Sequence, residues 1–229
     1  MKECWCIPPK QDAAFVAAME DVLEVYQRPR DEARPLVCLD EFCKQLVEES
    51  RTPLPMEPGK PARHDYEYVR RGCASAFLIH APLEGRSDVH IGPDGRRTAA
   101  DYARALEHIA GVMFPDAEKI VLVEDNLNTH GDASLYAAFA PEKARALAER
   151  FERHHTPRHG SWLNMAEIEI SALTRTALPE RIGSLAEFRE RCRLAVELRN
   201  AEECHTVWQF TNHEARIKLR HLYPSIQGG

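Results

Sequence analysis

The chain of 229 residues is 44% hydrophobic and 29% charged, enough apolar material for one ordinary domain that folds without disulfide or metal staples. With 30 Lys and Arg against 36 Asp and Glu the net charge is −6, which excludes a general attraction to nucleic acid or to anionic membranes and restricts any polyanion site to a local basic patch. No apolar run approaches the roughly 18–20 residues of a membrane span, and the polar start Met1-Lys2-Glu3 has no signal-peptide core, so a cytoplasmic protein is expected.

Seven cysteines (Cys4, Cys6, Cys38, Cys43, Cys73, Cys192 and Cys204) are scattered, odd in number and without a C-x-x-C pair, which points to reduced thiols. Zinc at Cys4-Trp5-Cys6 is disfavoured, because no second paired Cys/His set complements it.

In chain order, Asp12 to Tyr26 has apolar residues at near-helical spacing after Pro8-Pro9 and reads as an amphipathic helix, followed by a linker through Pro35. Leu36-Val37-Cys38-Leu39 predicts a short strand ending at Asp40-Glu41. Residues 51–63 hold four prolines and Gly59, so an extended surface loop is expected there. Tyr66 to Arg71, Ala74 to His80 and Asp88 to Ile91 read as strand material in an antiparallel meander.

Thr98 is a plausible N-cap for a helix to about Met113. The β-branched run Lys119 to Val123 then predicts a buried strand that surfaces at Glu124-Asp125-Asn126. A helical region from about Ala133 to Phe151, interrupted near Pro141, precedes a short segment around His154 to Pro157. Helices are expected from Leu163 to about Thr176 and from 184 to 199 under a Ser184 cap, before a mixed tail with Trp208 and Phe210. Strand-helix-strand crossovers after an antiparallel start imply an α/β fold, a mixed sheet with helices on both faces.

Three acids fall at informative places: Asp40 closing the first strand, Asp125 closing the fourth, and Glu167 one turn into a helix. With the first and fourth strands side by side and parallel, these carboxylates converge, and such a cluster is stabilised by hard divalent cations. Two ions about 4 Å apart would clamp an in-line phosphoryl displacement. Glu41 is a rival to Asp40. Glu169 lies about 200° round the helix from Glu167, so the two cannot face one site.

Val121-Leu122-Val123-Glu124-Asp125-Asn126-Leu127-Asn128-Thr129-His130 and His155-Thr156-Pro157-Arg158-His159-Gly160-Ser161-Trp162-Leu163-Asn164-Met165-Ala166-Glu167 resemble the second and third catalytic blocks of IS630-type transposases, relatives of the Tc1/mariner group. The resemblance implies a ribonuclease-H-like, five-stranded mixed sheet whose DDE triad, here Asp40, Asp125 and Glu167, is both catalytic and the ligand set for two Mg²⁺ or Mn²⁺ ions. It also implies transposon-end and target DNA as partners, action as a homodimer on DNA, nucleoid association when bound, and no membrane. Residues 35–200 would form the catalytic domain, 1–34 an N-terminal helix and linker, and 201–229 a tail packed on that domain.

The family's end-binding helix-turn-helix domains have no counterpart here, so a truncated or split transposase working with a separate end-binding domain or subunit is expected. Two departures stand out: Phe42-Cys43 follows Asp40-Glu41 in place of a Lys-Pro pair, and Glu124 replaces an apolar residue before Asp125. Strand alternation allows Glu124 to point away from the site.

Supporting roles near the triad fall to Asn126, His130 and Asn164. The run Arg153 to His159 is the best local basic patch, with Arg153, His155, Arg158 and His159 as DNA-phosphate candidates. Trp162 reads as a core anchor orienting the Glu167 helix. Two other readings stay open: an inactive relic or binding module on the same fold, and a nuclease acting on RNA hybrids.

Overall fold

The computed structural model describes residues 7–8, 10–63, 65–127, 131–178 and 181–225. Its centre is a five-stranded mixed sheet of order β3-β2-β1-β4-β5, formed by β1 (Leu36–Glu49), β2 (Tyr68–Ala81), β3 (Arg86–His90), β4 (Ile120–Glu124) and β5 (Phe151–His155). The first three strands are antiparallel, whereas β1–β4 and β4–β5 pair in parallel, so the first and fourth strands are parallel neighbours as their expected order requires.

Period-2 alternation sorts the strand residues onto two cores. Cys38, Phe42, Leu46, Val121 and Val123 face α1 (Ala13–Tyr26), α5 (Met165–Ala177), α6 (Leu185–Ala201) and the C-terminal α7 (Asn212–Lys218). Val37, Leu39, Ile120, Leu122 and Phe151 face α2 (Ala99–His108), α3 (Asp132–Ala138) and α4 (Pro141–Ala148). Both terminal extensions contribute to the first core through Phe15, Met19, Val22, Ala215 and Leu222. Among the described residues no helix is long and apolar enough to cross a membrane.

Local signals explain several boundaries. Asp12 caps α1 by accepting from the Phe15 N–H, Thr98 and Asp101 form a reciprocal capping box on α2, and Ser184 caps α6. Ile109–Met113 continues α2 as a π-helical turn. The Pro-rich segment makes only isolated bridges, Leu54 to Arg63 and Glu57 to Lys60.

The principal difference from the sequence expectation is the length of β1. It does not end at Asp40-Glu41 but runs on to Glu49, with Phe42 and Leu46 continuing its buried face and β2 pairing along its outer half. Its pairing with β4 stops at Cys38, opposite Val123. Asp40 therefore sits at a fork, where β4 leaves and β1 continues, rather than at a strand end.

Candidate metal centre

The fork brings the acids together. Asp125 follows β4 and keeps the parity of Val121 and Val123, which puts it on the α5 side with Asp40. Glu41 belongs by parity to the opposite face, yet carboxylate oxygens of Asp40, Glu41 and Asp125 all lie within 4.8 Å of one another. Asp40 bends along the strand so that its Oδ1 accepts the Glu41 N–H at 2.7 Å, and with β4 ended no strand separates the two faces. Glu41 also lies 3.8 Å from the exposed Arg97, which precedes α2.

Asn164 joins this cluster to α5. Fully buried, it donates from Nδ2 to the Leu39 carbonyl at 2.9 Å and to Asp40 Oδ2 at 3.3 Å, while its Oδ1 accepts from the Ala166 N–H and caps the helix. Glu167 in that first helical turn is exposed. Tyr26 of α1 steadies the same turn from below, donating to the Leu163 carbonyl at 2.7 Å. Trp162 is partly buried against the first core, its ring 6.2 Å from that of Phe210.

Glu169 takes the other direction, as the helical angle requires: it is buried and paired bidentately with Arg199.

Burial raises the Asp40 carboxyl to about 7, and the charges of Glu167, Asp125 and Glu41 act in the same sense against the bond from the Glu41 N–H. A carboxylate this reluctant to ionise beside three other acids suits a hard divalent cation, so the donor set fits Mg²⁺ or Mn²⁺.

Beside the acids lies a cleft of about 360 Å³ lined by Asp125, Asn126, Thr156, Arg158, His159 and Ser161. His159 has φ +64°, and a Cβ at the following Gly160 would lie 2.5 Å from Pro157, so a tight turn presents the exposed Arg158 and His159 at this rim.

Arg153 and His155 do not join them. Residues 151–155 form a strand, and alternation turns these two side chains to the face of Glu124, away from Asp125. Arg153 Nη1 donates to Glu124 Oε1 at 2.8 Å and to the Tyr102 hydroxyl, which itself donates to Glu124 Oε2 at 2.7 Å. Half-buried His155 points its Nδ1 at Glu124, 4.0 Å away. The strand thus separates Arg153 and His155, on the Glu124 face, from Arg158 and His159, which are exposed at the cleft. His130 and the Cys4-Trp5-Cys6 triplet lie outside the described residues.

Sequence reasoning treated Glu41 only as a rival, held Arg97 only as a secondary basic candidate, and took Tyr102 only as an apolar position of its helix. The available signals were the consecutive acids on a strand that outlasts its neighbour, and the buried acid Glu124, which demanded partners.

A five-stranded mixed sheet with carboxylates gathered where its central parallel strands diverge is a ribonuclease-H-like domain. The chain belongs to the DDE superfamily endonucleases, whose family model it matches over residues 35–189. Similar solved structures are the Mos1 mariner paired-end complex with Mn (16% identity, TM-score 0.55, covering 89% of this chain and 61% of that one) and the Mos1 transposase paired-end complex with left transposon end (15%, 0.57, 97% and 67%). The paired-end complex with Mg is a further match (17%, 0.53, 98% and 67%). The chain thus spans less than two thirds of the first of these. No curated protein matches it in sequence.

Proposed function

We propose that this chain is the catalytic domain of an IS630-type, Tc1/mariner-related transposase that cuts and joins double-stranded DNA by two-metal phosphoryl transfer. The observation that carries the reading is the gathering of Asp40, Glu41 and Asp125 oxygens within 4.8 Å, with Glu167 acting on Asp40 from the adjoining helix. Asp40, Asp125 and Glu167 would hold two Mg²⁺ or Mn²⁺ ions, which supply activation of a water or DNA 3′-hydroxyl and stabilisation of the leaving 3′-oxygen.

The chain's own residues do the rest. Asn164 orients Asp40 and starts the Glu167 helix, so two acids from distant parts of the sequence share one support. Arg158 and His159, at the cleft beside Asp125, contact the DNA phosphates, and Arg97 next to Glu41 adds a third positive group at the cluster. The Mos1 matches, which are paired-end complexes with Mn, with Mg and with the left transposon end, support the choice of partner and ion. A homodimer on DNA, with end binding supplied by a further domain or subunit, completes the reading.

Incubation of supercoiled plasmid with Mn²⁺ tests it: the wild type nicks, and Asp125→Asn does not while keeping its circular-dichroism spectrum. Equal nicking by the variant would overturn the assignment. Calorimetric titration with Mn²⁺ separates an inactive relic, which would bind the ion no differently from Glu167→Gln.

A further inference from the structure

We infer that Arg153 is a positioning residue: it ties together the two ends of the segment carrying Asp125 and so sets where that carboxylate stands. The inference rests on the metal-site reading above. Strand β4 ends at Glu124, just before Asp125, and α3 begins at Asp132. Arg153 reaches both ends, with Nη1 bonded to Glu124 Oε1 at 2.8 Å and Nη2 3.2 Å from Asp132 Oδ1. The Tyr102 hydroxyl closes the arrangement on the other oxygen of Glu124. The guanidinium itself is clamped between rings, its centre 5.7 Å from the Phe151 centroid and 5.9 Å from that of Tyr102.

Core filling alone does not account for this arrangement. Glu124 is fully buried, and an ion pair at such a place is frequently matched or bettered in stability by well-packed apolar residues. What apolar packing does not supply is direction. Two hydrogen bonds, from Arg153 and from Tyr102, fix the rotation of Glu124 about its strand, and with it that of Asp125, the next residue; the Arg153–Tyr102 bond and the Arg153–Asp132 ion pair hold those partners in place. A planar guanidinium with donors on two nitrogens suits a bridge between two carboxylates on different elements; a lysine ammonium does not span them in the same way.

The test compares metal-free proteins by hydrogen exchange at the Asp125, Asn126 and Leu127 amides and measures Mn²⁺ affinity separately. In Arg153→Met/Glu124→Leu/Tyr102→Phe, exchange at these amides rises and the Mn²⁺ dissociation constant increases about tenfold, the loss typical when supports behind metal ligands are removed. Asp132→Asn changes only an exposed partner of Arg153 and keeps the fold, so it decides the matter should the triple variant not fold; its exchange rises several-fold at the same amides. Unchanged exchange in Asp132→Asn, or in a folded triple variant, overturns the inference. The metal-site reading fails independently, if Asp125→Asn binds Mn²⁺ as tightly as wild type.

Discussion

Glu124 and Asp125 are consecutive acids at the end of one strand, and the fold treats them in opposite ways. Glu124 turns into the α2/α3 layer, fully buried, and is matched there by Arg153 and Tyr102. Asp125 turns to the α5 side and meets Asp40 and Glu41, acids like itself. The first carboxylate has its counter-charge built in; the second gathers with two further acids, a set of oxygen donors of the kind a divalent cation takes. The difference separates an acid committed to the core from acids gathered where they could hold a metal ion, in a chain where acidic residues are abundant.

The contrast breaks most visibly when Glu124 is replaced. Glu124→Leu removes the buried partner of the Arg153 guanidinium, leaving it only the exposed Asp132 carboxylate as counter-charge, and is expected to destabilise the protein by about 3 kcal/mol, read by chemical denaturation.

His80 sharpens the contrast as a third solution, a buried group that stays neutral between the hydroxyls of Ser87 and Thr206. Burial lowers its pKa from 6.5 to about 4. Its contribution is therefore complete above pH 6.5 and is lost as the pH falls towards 4, because over that range the unfolded chain takes up a proton that the folded one refuses. The loss amounts to about 2–3 kcal/mol, and it should appear as a stability difference between wild type and His80→Gln that changes by that amount over this pH range.

The smallest effect has the opposite sign. Asp125→Asn relieves like-charge repulsion and is expected to stabilise the metal-free protein by about 1–2 kcal/mol at pH 8. Asp40, raised to about 7 when folded, keeps a proton that the unfolded chain gives up near 4. The contribution of Asp40 to stability therefore falls as the pH rises from 4 to 7, opposite in sign to that of His80, and the advantage of the variant shrinks when the pH is lowered through 7. Added Mn²⁺ should raise the melting temperature of the wild type far more than that of the variant.

Much of this was legible in the sequence where one short-range rule governs. The run 120–123 announced a buried strand, Thr98 and Ser184 announced helix starts, and helical angle separated Glu167 from Glu169. The α/β architecture and the parallel pairing of the first and fourth strands followed from element order. The length of β1 did not, because Asp40-Glu41 mimics a strand end and only the pairing with β2 carries the strand past it. Arg153 and His155 read as part of a basic patch until β5 imposed a period of two on residues that otherwise belong to one charged run. The place of Glu41 was invisible for a third reason: it depends on where a different strand stops.

Asn164 has a consequence for how far the sequence can drift. One amide caps α5, holds the Leu39 carbonyl and reaches the Asp40 carboxylate. Aspartate would keep the cap but set a fourth negative charge against Asp40 and lose the donor; serine would keep the cap but lose the reach; alanine would lose everything. Each of these three replacements therefore gives up at least one of the links that join α5 to Asp40, so little at position 164 can be changed without loosening that join.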